Sequence, residues 1–338
     1  MAASTLANID FNSSAFKDIM AGEFTDKLGL LTAGAMQSVP DNIISSTDKG
    51  YTVSIPHWNT ISGDADVITT SLTTTVNALA TYKDIGVWCE REKAWGAEQI
   101  VKVVSGGDPT AEIAKQLANY LAVELHKQAV NTISGVFSVE LATTHSTGST
   151  YTGSTINNDG ILAAKQKLGD NQDMLTIALM NSKVYQDALR DGMITNPIMN
   201  VANEQYRTGM VGKLLGMDAT MTDKFTATSS VYPSYFCAPG SVIYKFRERT
   251  SMAQSNANLT RIVAGDLVAE LELHRVALTN GGQDVLILRW SSLTHVPGVQ
   301  FDGTVTSNPT NAQLATASSW TKVATDDKLI RIVELKTL

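Results

Sequence analysis

One stretch constrains this chain more than any other. Residues 106–135, GGDPTAEIAKQLANYLAVELHKQAVNTISG, carry a single uninterrupted helical pattern. Asp108 suits the N-cap, where its carboxylate accepts from free N–H groups of the first turn, and Pro109 suits the next position, where a missing N–H costs nothing. Glu112 adds negative charge at the positive end of the helix dipole. The interior is Ala, Leu, Gln, Lys and Glu, all strong helix formers. Ala114, Leu117, Ala118, Leu121, Leu125 and Ala129 recur at three- and four-residue spacing and share one face. Asn131, Thr132 and Ser134 weaken the last turn, and Gly135 is expected to close it in the left-handed conformation. Such a helix is about 40 Å long, as long as a small domain is wide. Other segments must cover its apolar stripe, so it is either the core helix of an ordinary globular fold or a spine joining separate lobes. Its flanks favour the spine.

At 338 residues the chain can bury a large core and divide into two or more lobes. Charged residues make up only 17%, so the surface is polar but weakly charged, which suits extensive subunit contact. A net charge of −7 offers no basic field to replace the counterions of nucleic acid, which argues against sequence-specific DNA or RNA binding. Cys89 and Cys237 form no disulfide framework and no zinc motif; two reduced, partly buried thiols are the expected state, with one Cys89–Cys237 bridge as the alternative. The first residues, MAASTLANIDFNSSAF, lack a basic and an apolar region and do not read as a signal peptide. No apolar run approaches the roughly 20 residues of a membrane span. Cytosolic synthesis is the expectation, under which the glycosylation patterns at Asn12 and Asn258 carry no meaning.

Before the long helix, residues 16–36 hold a short amphipathic pattern (Phe16, Ile19, Met20, Phe24, Leu28, Leu31) broken by Gly22, Gly29 and Gly34, so it needs an outside surface to dock on. Residues 34–41 read as a turn, and Ile43 with Ile44 as a brief apolar contact. Tyr51-Thr-Val-Ser-Ile-Pro alternates like a strand ended by Pro56. Residues 62–66 form a turn, residues 67–76 are β-branched and extended, and residues 83–88 make another short strand. This polar hairpin has too few large apolar residues to fold alone. Residues 88–99 are expected to form a short helix.

After the long helix, residues 143–155, TTHSTGSTYTGST, read as a flexible loop and lobe boundary. Asn158 or Asp159 is expected to cap a helix through Leu168, stopped by Gly169. Met174-Leu-Thr-Ile-Ala-Leu-Met has the continuous apolar character of a buried central strand. Asn181 or Ser182 caps a helix over 183–190, closed by Gly192. Residues 210–221 read as turn and strand, residues 237–241 as a turn before a strand at 242–247. Strands follow at 266–278, 285–290 and 328–335, with a short helix at 311–318.

No catalytic, cofactor-binding or metal site emerges. His57, His126, His145, His274 and His295 show no metal or catalytic spacing and read as solvated or satisfied structural histidines. Gly209-Met-Val-Gly-Lys213-Leu lacks the first glycine and the hydroxyl residue of a phosphate-binding loop. Ser14 and Lys17 match a nucleophile pattern only at the level of chance. Asp64 and Asp66 fit a solvated turn better than a cation site. Tyr82, Trp88 and Trp95 lie among Lys83, Arg91 and Lys93, but Asp84, Glu90, Glu92 and Glu98 neutralise the patch, leaving a helix–strand packing face.

The order of parts, however, resembles the major capsid proteins of tailed bacteriophages, which have the HK97 fold. Similar stretches are Gly50-Tyr-Thr-Val-Ser-Ile-Pro-His-Trp leading into Gly63-Asp-Ala-Asp, Arg207-Thr-Gly-Met-Val-Gly-Lys-Leu-Leu-Gly-Met-Asp-Ala, His295-Val-Pro-Gly-Val-Gln-Phe, and residues 320–335. The resemblance runs from about residue 15 onward and rests on the order of these motifs. It implies an α+β fold with an N-arm (1–50), an extended E-loop hairpin (51–100), a P domain whose spine is the long helix (101–155), an α/β A domain (156–260), and return strands to the P domain with a C-terminal segment (261–338). It implies a non-enzymatic subunit that assembles with itself as hexamers and pentamers into an icosahedral shell. Scaffolding protein, portal and a decoration protein would be partners, and double-stranded DNA would be packaged inside without sequence-specific contact. The protein would reside in the virion after synthesis in the bacterial host cytoplasm. Lys83 lies near the E-loop, but no partner asparagine or activating glutamate can be matched for an intersubunit crosslink. The charged scaffolding segment that opens some family members has no counterpart here. An encapsulin-like compartment with enzyme cargo shares the fold; a soluble α/β hydrolase is the third reading and has no catalytic constellation behind it.

Overall fold

The computed structural model describes residues 33–45, 50–58, 61, 64–65, 67, 81–98, 109–137, 141–195, 212–248, 259–264, 266–276, 283–303 and 307–338. The long helix spans Pro109–Val136. Leu117, Ala118, Leu121, Leu125 and Ala129 are all buried, as their spacing predicts, and Ala122, Val130, Ile133 and Val136 widen the apolar arc. Each fully buried leucine contributes about 2 kcal/mol. The Asp108 cap and the side chain of Ala114 lie outside the described residues. Gly135 does not close the helix; it stays within it. A Cβ there would stand 2.1 Å from the Leu314 carbonyl oxygen and 2.6 Å from Trp320 Nε1. The missing side chain therefore serves a close approach rather than a turn.

Two six-stranded sheets meet this helix. The first sheet is built around β13 (Gln283–His295). One edge of β13 pairs antiparallel with β12 (Leu267–Val276) and then with β10 (Val242–Arg247); the other pairs with β4 (Cys89–Glu98). β11 (Leu259–Ala264) extends it beyond β12, and β1 (Met36–Ser38) lies parallel to β10. The helix is pinned to β13 by polar groups: Ser292 Oγ donates to Gln128 Oε1 (2.6 Å), and the hydroxyls of Thr132 and Thr294 lie 3.0 Å apart.

The second sheet runs β16 (Ile332–Thr337), β9 (Tyr232–Cys237), β5 (Ile177–Met180), β8 (Met217–Met221), β7 (Lys213–Leu214) and β6 (Ile194–Thr195). Its two faces serve two cores, as the two-residue period of a strand requires. Ile177, Leu179, Tyr235, Cys237 and Ile332 join the core of the long helix. Ala178, Met180, Phe236, Val333 and Leu335 face the other way, against Ile161 and Ala164 of the Asn158–Gln166 helix and Val184 and Ala188 of the Ser182–Arg190 helix. Two two-stranded antiparallel sheets complete the fold: β2 (Thr52–Trp58) with β3 (Thr81–Val87), and β14 (Val299–Phe301) with β15 (Trp320–Lys322). The sheets do not follow the linear segments: β10 and β11 lie in the first sheet, while β16 returns to the second.

Several local expectations are corrected. Residues 88–98 form no helix. Glu90, Arg91, Glu92 and Lys93 favour helix locally, but the full register of β4 on β13 overrides them, with Glu92 opposite and ion-paired to Arg289 at 3.2 Å. Residues 34–41 are not all turn, since Met36–Ser38 is β1; turns flank that strand, one at Gly34, whose φ is +78°, and one from Pro40, whose carbonyl accepts from the Ile43 and Ile44 N–H groups. Pro56 sits inside β2 rather than ending it, which is tolerated because β2 pairs only with β3. The cap of the Asn158–Gln166 helix is Asn157, whose side chain accepts from the Gly160 N–H at 2.7 Å. Residues 143–155 are no loose boundary: His145, Ser146 and Thr147 are buried and strapped to β16. The last strand begins only at Ile332, after a 3-10 turn over Asp327–Leu329. β9 and β11 answer to no expected strand, and β13 extends past the expected 285–290 at both ends.

Other expectations fit. β5 is fully buried and central. Asn181 caps Ser182–Arg190 by accepting from the Lys183 N–H, and Gly169 and Gly192 follow their helices at positive φ. Leu215 and Gly216, both at positive φ, turn β7 into β8, so Lys213 belongs to a β-hairpin. The short helix Asn311–Leu314 carries a capping box from Thr310 and Gln313. The amphipathic pattern at 16–31 and the extended run at 68–76 lie outside the described residues.

Candidate functional site

The β2–β3 hairpin is a sheet of its own, seated through β3 on β13 and β14, and forms an arm. Val53 and Ile55 point inward and join Val39, Ile44, Trp88 and Leu293 in a small separate core at the arm's root. Gly86 permits this contact: a Cβ there would stand 2.8 Å from Leu293 Cδ1. Farther out the apolar residues lose their cover. Trp58 is 69% exposed, Ile61 85% and Val67 84%. Single exposed apolar residues are ordinary; these three follow one another in sequence from the end of β2.

The root is fixed by buried charge. Arg247 Nε donates to Ser291 Oγ (3.0 Å), its Nη2 to Glu90 (3.0 Å) and its Nη1 to the Gly50 carbonyl, while the guanidinium lies 4.9 Å from the Trp88 ring centre. Lys245 Nζ donates to the Val39 carbonyl at 2.7 Å and pairs with Asp41 at 2.8 Å. Each cation thus reaches several acceptors, which offsets the cost of burying it.

The third anchor is Asp84, fully buried on β3. The Gly298 N–H donates to its Oδ2 at 2.7 Å. His57 Nε2, from β2, stands 2.9 Å from the same oxygen, and His295 Nε2, at the end of β13, 3.6 Å. Neither imidazole is aligned for a good hydrogen bond; both His295 nitrogens, His57 Nε2 and Asp84 Oδ1 are buried without an aligned partner. Burial alone would raise the Asp84 carboxyl, but the flanking imidazoles and the Gly298 N–H outweigh it and hold it at about 2. The Tyr82 ring stacks on His57 at 5.2 Å. A cavity of about 250 Å³ opens beside the cluster, lined by His57, Trp58, Tyr82, Pro297, Gly298 and Arg331 among others.

The remaining histidines are scattered. His145 is satisfied on both sides, accepting from the Thr144 hydroxyl and donating to the Asp327 carbonyl, each at 2.8 Å. His126 lies 3.2 Å from the Thr222 hydroxyl, with burial and nearby Lys224 pulling it down to about 4. The side chain of His274 is outside the described residues, as are Ser14, Lys17 and Asp66; Asp64 is exposed. Cys89 and Cys237 are both buried and free, and burial raises their thiols to about 11 and 12. The aromatic–basic patch divides. Trp95 packs edge-on against Tyr120 of the long helix (5.1 Å), as a helix–strand face should, while Trp88 sits under Arg247 and Tyr82 on His57. Lys83 is exposed on β3. Among the described residues no group of three His, Cys, Asp or Glu is arranged to hold a metal ion. The Asp84 cluster escapes sequence reading because positions 57, 84 and 295 are brought together only by the tertiary fold. Its one trace is that two stretches carrying the family resemblance contain His57 and His295.

No family model matches the chain. It is 26% identical over 290 residues to the major capsid protein of Bacillus phage SPP1, a span covering 85% of this chain and 83% of that protein. Among solved structures it is similar to the capsid of cyanophage Pam1 (TM-score 0.55, 11% identity, 80% of this chain and 88% of that one). It is equally similar to the capsid of Ralstonia phage GP4 (TM-score 0.55, 10% identity, 81% and 86%). At such identities the structures establish the fold, which is α+β and HK97-like.

Proposed function

We infer that this chain is a major capsid protein, the structural subunit from which a tailed bacteriophage builds its shell. The observation that carries the reading is a capsid-protein relative matched over most of both lengths, on a chain whose fold is HK97-like. The arm adds a physical argument. A two-stranded hairpin is marginal alone in water, and Trp58, Ile61 and Val67 lack cover within the chain. Laid on a neighbouring copy, they leave water at a gain of about 25 cal/mol per Å².

On this reading residues 1–50 act as the N-arm and 51–100 as the E-loop. The long helix and strands β10 to β13 make the P domain, to whose sheet β1 of the N-arm and β4 of the E-loop segment also pair, and residues 156–241 together with β16 make the A domain. Copies gather as hexamers and pentamers. A scaffolding protein guides closure, a portal occupies one vertex, and a decoration protein is a further candidate partner. The subunit is made in the bacterial cytoplasm and ends in the virion. Its net charge of −7 suits a wall that must not trap the DNA pumped inside it. Its role is structural rather than catalytic.

Negative-stain electron microscopy of the purified protein, alone and with a candidate scaffolding protein, tests the reading. Closed shells tens of nanometres across are expected. Small uniform oligomers under both conditions would overturn it and return weight to a soluble enzyme.

A further inference from the structure

The Asp84 cluster is built unlike the other two anchors of the arm. Arg247 and Lys245 are already held by aligned acceptors. Asp84 faces two groups whose charge depends on pH, one from each side of the joint. His57 rides on the arm and His295 belongs to the first sheet, and both point at one carboxylate oxygen. Each is close, yet neither is aligned. His57 Nε2 already lies 2.9 Å from Oδ2, and His295 Nε2, at 3.6 Å, is the looser of the two.

We propose that His57, Asp84 and His295 form a proton-dependent latch at the arm's root, in which imidazolium formation draws both histidines onto the Asp84 carboxylate and fixes the arm to the first sheet. The chemistry is ion pairing: a neutral imidazole offers one N–H, a protonated one offers two and a charge. Asp84 stays ionised through the range in which imidazoles ordinarily titrate, so the charge partner is always present. The proton has a route, because His57 is partly exposed and lines the cavity. Other groups facing the cluster leave the carboxylate free for the histidines. Tyr82 stacks on His57 and is pushed upward by burial and by Asp84, so it remains neutral. Arg331 lines the same cavity, the Gly298 N–H holds Asp84 Oδ2, and Trp320 lies 6.2 Å from the His295 ring. The sign follows directly: imidazolium formation tightens the latch, so it closes as pH falls and relaxes as pH rises.

The proposal concerns the isolated chain and does not depend on the shell reading. Amide hydrogen exchange on the full-length unassembled protein, corrected for the intrinsic pH dependence of exchange, tests it. At pH 5 the amides of residues 82–86 and Gly298 are expected to be protected on the order of tenfold more than at pH 8, the factor that about 1.4 kcal/mol of added pairing gives. Amides of the long helix serve as the internal reference. The double variant His57→Gln, His295→Gln should fold and lose the difference. Equal protection at both pH values in the parent chain, or a difference that survives in the double variant, overturns the latch. If the double variant misfolds, His57→Gln alone, at the partly exposed position, should reduce the difference; an undiminished difference there also counts against it.

Discussion

The long helix and the arm are opposite solutions to the same problem of covering an elongated element. The helix is enclosed by its own chain: two sheets and residues 314–320 pack against it, down to a glycine where backbone touches backbone. The arm is buried at its root, whereas Trp58 at the end of β2, and Ile61 and Val67 beyond it in sequence, are exposed. An element that finishes its contacts within one chain fixes the fold. An element that leaves them open fixes what the chain must do next.

Substitutions can break or sharpen this contrast. The largest effect is expected from Leu121→Asp, which places a charge at the centre of the helix's buried arc. It should cost more than about 4 kcal/mol and prevent folding; an unchanged melting temperature would show that this face is not core. Gly135→Ala comes next. Within a helix this change ordinarily gains about 1 kcal/mol, but the Leu314 carbonyl and the Trp320 indole occupy the space. The expected outcome is a net loss of roughly 2 kcal/mol, and a raised melting temperature would contradict the close approach.

Acid should act more gently, and at the root of the arm. The Asp84 carboxyl is held at about 2, below its ordinary value of 3.8. Its contribution to stability is therefore complete above about pH 4 and is lost as pH falls towards 2, on the order of 2 kcal/mol. Chemical denaturation of the parent and Asp84→Asn between pH 5 and pH 2.5 checks this: the gap between them should narrow with acid. Removing residues 64–81 should have the smallest effect on the chain itself. The deleted variant is expected to melt within about 0.5 kcal/mol of the parent and yet yield no closed shells. Normal shells from it would end the assignment of the arm as an assembly element.

Legibility in the sequence follows the same division. The long helix is written locally, in propensity and spacing, and so are β5 and the Asn181 cap. Its partners are not. β4 carries helix-forming residues and becomes a strand only because β13 lies beside it, and Gly135 looks like a terminator until Leu314 and Trp320 are in place. The Ser- and Thr-rich stretch at 143–155 reads as flexible by composition, while the hydroxyl of Ser146 in fact donates to the buried Glu334 carboxylate at 2.7 Å. The Asp84 cluster could not be read at all, since single histidines carry no local signal. What the sequence did disclose about assembly came from the order of whole segments.

The return of β16 to the second sheet has a consequence for how the molecule is made. Its partner β9 leaves the ribosome long before Ile332–Thr337 does, and until then one side of β9 and the straps at His145 and Thr147 have nothing to bond. A nascent chain in that state exposes a strand edge of the kind that recruits other chains indiscriminately. Until Thr337 is translated that edge stays open, so products truncated before β16 are expected to aggregate more readily than the whole chain.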